Sequence, residues 1–126
     1  MAELLTIHDE EKKLIQDAYR QLLRSIKSDM DEDDSKMIRK AYEMAVQAHS
    51  EQRRKSGEPY ILHPIAVARI CSEEIGLGPT AIACALLHDV VEDTDITLDE
   101  IELEFGQRVR TLFPYTTLFR SRKSVV

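Results

Sequence analysis

The run His88-Asp89-Val90-Val91-Glu92-Asp93 gathers one imidazole and three carboxylates into six residues. It follows Thr80-Ala81-Ile82-Ala83-Cys84-Ala85-Leu86-Leu87, which is apolar nearly all round and reads as a helix buried on most sides. A His-Asp pair near the end of such a helix is costly to desolvate unless it binds a metal or finds hydrogen-bonding partners. Divalent cations of the zinc, manganese and iron type accept imidazole and carboxylate together, so metal-assisted chemistry is one reading of the pair. The other is a histidine satisfied by its neighbours at a helix end.

Upstream, Arg53-Arg54-Lys55-Ser56-Gly57-Glu58-Pro59-Tyr60-Ile61-Leu62-His63-Pro64 sets a basic cluster and a Gly-containing turn ahead of a second His, which directly precedes a helix-starting Pro. Three basic side chains in a loop give a local positive pocket for an anionic small molecule, and equally suit a solvated surface. Taken together, Arg54-Lys55-Ser56-Gly57-Glu58-Pro59-Tyr60, His63-Pro64 and His88-Asp89-Val90-Val91-Glu92-Asp93-Thr94 resemble the hydrolase domain of the RelA/SpoT homologue family. Those enzymes handle the alarmones ppGpp and pppGpp, and their hydrolase domain belongs to the HD metal-dependent phosphohydrolases. The resemblance runs from about Ile38 to about Leu112.

The resemblance implies a site and a reaction. The metal would be Mn²⁺, with His63, His88 and Asp89 as ligands and a fourth carboxylate from a helix beyond the point where this sequence departs from the family. Glu92 and Asp93 match an acidic pair that follows the His-Asp step in hydrolase-competent members, one helical turn on, where carboxylates orient a nucleophile or shuttle protons. Arg54, Lys55 and Ser56 match the nucleotide-contacting loop: Arg stacks on a base or pairs with phosphate, Lys adds a point charge and Ser a hydrogen bond. The implied reaction removes the 3′-pyrophosphate of ppGpp or pppGpp, releasing pyrophosphate and GDP or GTP, as part of a longer bifunctional alarmone synthetase/hydrolase of the stringent response. With one ligand missing, this stretch by itself is expected to be inactive. The alternative is a truncated guanine-nucleotide-binding or regulatory module without catalysis.

The elements that must position these residues are all helical. Leu14, Ile15, Ala18, Tyr19, Leu22 and Ile26 recur at three- and four-residue steps from about Asp9 to Lys27. A second helix is expected after Asp33-Asp34-Ser35, any of which can cap it, with Ile38, Ala41, Tyr42, Ala45 and His49 on one face. His49 there reads as a packed, hydrogen-bonded residue rather than a ligand. Pro64 suits the first position of a third helix running to about Ile75, before Gly76, Gly78 and Pro79 end it. The fourth helix carries His88-Asp89. Ile96-Thr97-Leu98-Asp99-Glu100-Ile101 spells a capping box with a hydrophobic staple and starts a fifth, which Gly106 ends. The fold is expected to be an all-α, HD-domain-like helical array of about five helices, with a helical extension over 1–35 and the motif region over 36–112.

Composition narrows the class. The 126 residues hold 43% hydrophobic and 32% charged side chains, as a soluble globular chain does, and no apolar run approaches the roughly 20 residues that span a membrane. A cytoplasmic protein without membrane partners is expected. A net charge of −6 argues against direct DNA or RNA binding and leaves room for an anionic guanine nucleotide at a local basic site. Cys71 and Cys84 fall in apolar helical patterns and read as buried free thiols. The acidic run from Asp29 to Asp34 lacks the spacing of a calcium loop and reads as a solvated loop. After Leu112 the chain changes character: Thr-Leu-Phe occurs twice, Pro114 interrupts, and residues 113–126 resemble a translated sequencing adapter rather than natural protein.

Overall fold

The computed structural model describes residues 9–26 and 29–112, and the stretch after Leu112 lies outside the described residues. Helix α1 (Asp9–Ser25) buries Ile15, Tyr19 and Leu22 of the expected stripe, while Leu14, at the stripe's edge, is exposed. Helix α2 (Glu32–Ala48) buries Ile38, Ala41, Tyr42 and Ala45. The two helices are pinned where Tyr19 stacks on Tyr42, ring centroids 3.9 Å apart, with the Arg39 guanidinium over Tyr19. Burial raises the pKa of both phenols.

The acidic run is not a loop for its whole length. Asp31 is the N-cap of α2: its carboxylate accepts from Asp34 N–H at 2.7 Å, and the Asp34 carboxylate accepts from Asp31 N–H at 3.2 Å. This reciprocal box uses Asp where Glu or Gln is usual, and Glu32, Asp33 and Asp34 complete a first turn of favourable sign for the helix dipole. The helix therefore starts ahead of Asp33-Asp34-Ser35, where the sequence placed its cap.

Helix α3 (Leu62–Ile70) begins two residues before Pro64, which takes the third helical position rather than the first. A ring without N–H is tolerated there because first-turn amides have no intrahelical partner. The helix runs on without a break into a π-helical turn, Cys71–Ile75, closed by Gly76 at φ 75, whose N–H donates to Cys71 O. The expected path to Ile75 is kept, and the change of pitch is not legible in side-chain pattern.

Helix α4 (Pro79–Asp93) takes Pro79 at its start and buries nine consecutive residues, Ile82 to Val90. Burial on all sides follows from its place: α4 packs against α2, α3 and the short α6 (Gln107–Leu112), and is the axis of the domain. Each fully buried Leu or Ile there is worth about 1.5–3 kcal/mol relative to exposure. Helix α5 (Leu98–Phe105) has the expected capping box, with Glu100 N–H donating to Thr97 Oγ1 and Thr97 N–H to Glu100 Oε2, both at 3.2 Å. Gly106 ends it, and α6 follows at once, too short for periodicity to announce it. Val109 of α6 is buried, and its carbonyl accepts from the Cys84 thiol at 3.4 Å. Both cysteines are buried and free, and burial pushes the Cys84 thiol up to about 12.

Among the described residues there is no strand, only an antiparallel bridge between Arg53 and Pro59, so the fold is all-α. None of the described helices is long and apolar enough to cross a membrane.

Candidate active site

Everything predicted to do chemistry lies on three pieces: the end of α4, the start of α3, and the hairpin that leads into α3. His88 and Asp89 sit in the fully buried stretch of α4, with side chains 3% and 0% exposed. A buried carboxylate costs several kcal/mol unless its lone pairs are satisfied. Asp89 Oδ2 accepts from the Tyr60 hydroxyl at 2.7 Å, and Oδ1 lies 3.3 Å from His88 Nε2.

The tautomer of His88 follows from its other nitrogen. Nδ1 stands 2.6 Å from the Ala85 carbonyl, which can only accept, so Nδ1 carries a hydrogen. In the neutral ring Nε2 is then the acceptor nitrogen and faces a carboxylate oxygen, and either a proton or a metal ion between the two atoms satisfies both. A metal ion bonded to nitrogen and oxygen at about 2.1 Å places neighbouring donors about 3.0–3.4 Å apart. The His88-Asp89 pair fits a divalent cation on these grounds.

His63 is in the first turn of α3, half-buried, with its ring centroid 5.7 Å from that of Tyr60. Tyr60 thus lies beside His63 while its hydroxyl is on Asp89. The three expected ligands share one neighbour, but among the described residues no group of three His, Cys, Asp or Glu side chains gathers closely enough to hold a metal ion. The structure brings His88 and Asp89 together and leaves His63 next door.

Glu92 and Asp93 form the last turn of α4, one turn beyond His88 and Asp89, and both are exposed. Thr94 ends the helix in extended backbone. Its N–H and its hydroxyl both donate to Val90 O, at 3.1 and 2.5 Å, so the acidic pair stays helical up to the cap. Buried charge thus gives way to exposed carboxylates along one helix.

The basic loop is the tip of a small hairpin. Tyr60 N–H donates to Gln52 O and Arg54 N–H to Glu58 O, both at 2.9 Å. Gly57 N–H closes the turn on Arg54 O at 2.8 Å, with Gly57 at φ 98, a backbone conformation that other residues adopt at a cost. Arg54, Lys55 and Ser56 are all exposed at this tip, and Arg54 lies 3.8 Å from Glu58. Arg53 does not extend the cluster toward solvent. Its guanidinium grips both oxygens of Glu11 on α1, at 2.6 and 2.9 Å, and the carbonyl of Gly57 at 2.7 Å. That bidentate pair raises the Arg53 pKa and ties the hairpin to α1.

Sequence reasoning gave Tyr60 no role, although the residue stands inside the motif. Its partner is 29 positions away, and only folding joins them. His49 is the packed residue the sequence expects: fully buried, Nδ1 2.9 Å from Gln52 Oε1, and its ring centroid 4.9 Å from that of Tyr60. Its Nε2 is buried and has no hydrogen-bond partner.

A family model described as "HD domain" matches residues 41–124. The guanosine-3′,5′-bis(diphosphate) 3′-pyrophosphohydrolase of Aquifex aeolicus is 52% identical over 75 residues, 60% of this chain and 11% of that protein. The Xenopus tropicalis guanosine-3′,5′-bis(diphosphate) 3′-pyrophosphohydrolase MESH1 is 51% identical over 87 residues, 67% of this chain and 49% of the relative. The bifunctional (p)ppGpp synthase/hydrolase SpoT of Escherichia coli is 45% identical over 94 residues, 75% of this chain and 13% of that protein. The chain thus spans about half the length of the shortest of these relatives and a small part of the others. With its all-α array, its His88-Asp89 step and relatives of this kind, the chain belongs to the HD domain family.

Proposed function

We propose that this chain is the hydrolase portion of an enzyme that removes the 3′-pyrophosphate from ppGpp or pppGpp, giving pyrophosphate and GDP or GTP, in the stringent response. One observation carries the reading: His88 Nε2 and Asp89 Oδ1 face each other at 3.3 Å in a buried setting, with Nδ1 committed to Ala85. The names of the relatives supply the substrate class.

His88 and Asp89 would hold a divalent cation, Mn²⁺ in this reading, with His63 as the third ligand and a carboxylate outside the described residues as the fourth. Such an ion supplies Lewis acidity toward a phosphoryl oxygen and toward water. The chain's own groups do the rest. Glu92 and Asp93, at the exposed end of α4, orient the attacking water and accept its proton. Arg54 and Lys55 neutralise phosphate charge from the hairpin tip, and Ser56 donates a hydrogen bond. Gly57 and the Arg53–Glu11 clamp fix the tip in place. A net charge of −6 is tolerated because only these few cations meet the anion.

The test uses the complete protein. With Mn²⁺ it releases pyrophosphate from ppGpp, and His88→Ala reduces that release to background. A protein that leaves ppGpp intact with Mn²⁺, or a His88→Ala variant of unchanged rate, overturns the reading. Tight ppGpp binding without release would point instead to a nucleotide-binding module.

A further inference from the structure

The chain from the hairpin base to Asp89 has a task that none of the roles above covers. Gln52 and Tyr60 face each other across the base of the hairpin, joined by the Tyr60 N–H···O bond to Gln52 at 2.9 Å. The Gln52 side chain meets His49 Nδ1 at 2.9 Å, and the His49 ring lies against that of Tyr60. From this braced position the Tyr60 hydroxyl donates to Asp89 Oδ2 at 2.7 Å. An aromatic ring held between His49 and His63 has little freedom to withdraw its hydroxyl.

A carboxylate without such a donor can rotate and offer either oxygen, or both, to a cation. Claiming Oδ2 leaves Oδ1 as the ligand atom, and Oδ1 is the oxygen that faces His88 Nε2 at 3.3 Å. We infer that Tyr60, braced by His49 and the base of the hairpin, is a positioning residue that fixes Asp89 so that Oδ1 rather than Oδ2 binds a divalent cation. Because the brace is built into the hairpin whose tip carries Arg54, Lys55 and Ser56, it joins the nucleotide loop to the metal ligand through one side chain. The inference rests on the reading of His88-Asp89 as a metal pair, and outer-shell donors of this kind typically contribute 10–100-fold to metal affinity.

The experiment is calorimetric titration of the complete protein with Mn²⁺ alone, for wild type, Tyr60→Phe and Tyr60→Leu. Phe keeps the ring between His49 and His63 and removes only the hydroxyl. The expected result is Mn²⁺ affinity about 10–100-fold weaker in Tyr60→Phe, with Tyr60→Leu no better. If the ring acts only by packing, Tyr60→Phe binds like wild type and the inference is overturned while the metal pair stands. If wild type binds no Mn²⁺, the metal reading fails and the inference with it. Should Tyr60→Phe lose its helical circular dichroism, the wild-type chain decides. Its Tyr60 hydroxyl proton, located by NMR through the ring protons, shifts when diamagnetic Zn²⁺ saturates the site. A resonance that stays in place at saturation overturns the inference.

Discussion

The buried end of α4 and the exposed tip of the 52–60 hairpin both present charged side chains, yet they are fixed in opposite ways. His88 and Asp89 are held from every side: by the helix backbone through Ala85, by Tyr60 from the hairpin, and by the apolar residues around them. Arg54, Lys55 and Ser56 are held mainly through the hairpin backbone, with Arg54 also 3.8 Å from Glu58, and their side chains are exposed. Buried charge must be arranged before substrate arrives, because an unsatisfied carboxylate there would destabilise the fold. In the proposed function, exposed charge would be arranged by the substrate itself, at an entropic cost that lowers affinity.

That contrast can be broken with two variants of the complete protein. Asp89→Asn keeps volume and the acceptor for Tyr60 while removing the anionic ligand. The expected loss in kcat is at least about 10³-fold, with little change in KM, read from pyrophosphate release. Arg54→Ala should do the opposite: KM for ppGpp rises about tenfold and kcat holds, since a phosphate contact made equally in ground and transition states is lost. An Asp89→Asn variant that moved only KM, or an Arg54→Ala variant that moved only kcat, would dissolve the distinction between pre-arranged and substrate-arranged charge.

How much of this was legible beforehand follows the same line. The five long amphipathic or apolar segments were visible because burial writes a period into sequence, and Thr97-x-x-Glu100 because a cap is local. Asp31 was missed as a cap because its partner at the third position is Asp34, and a run of acidic residues hides which one bends back. Helix α6 was too short to show a period, and the π-turn at Cys71–Ile75 alters hydrogen bonding without altering side-chain type. Within the site, the family resemblance pointed to His88, Asp89 and Arg54, while Tyr60 on Asp89 and Glu11 on Arg53 are contacts across 29 and 42 positions that no local pattern encodes.

The Glu11–Arg53 pair sharpens the comparison at the hairpin, because it is a semi-buried anchor beside the exposed tip, with side chains 20% and 22% exposed. Glu11→Gln keeps the shape and weakens the ion pair. If the anchor sets the pose of Arg54 and Lys55, KM for ppGpp rises by up to about fivefold while kcat stays level. Unchanged KM would mean that the tip finds its pose on the nucleotide alone, with the backbone bonds of the hairpin sufficient.

The smallest effect belongs at the start of α5, where a local cap serves the fold. Thr97 Oγ1 accepts from Glu100 N–H, and the Glu100 side chain answers at Thr97 N–H, so Thr97→Ala removes one acceptor and loosens the other half of the box. Loss of such a cap costs about 1 kcal/mol, a fall in Tm of about 5 °C for a domain of this size. Thr97→Ser, which keeps the hydroxyl, should recover most of it. Neither variant should alter Mn²⁺ affinity, because the cap of α5 is a local exchange between Thr97 and Glu100. A Thr97→Ala protein with intact Tm and weakened Mn²⁺ binding would show that the start of α5 reaches the site through Thr94 and the end of α4, and would enlarge the set of pre-arranged residues by one helix.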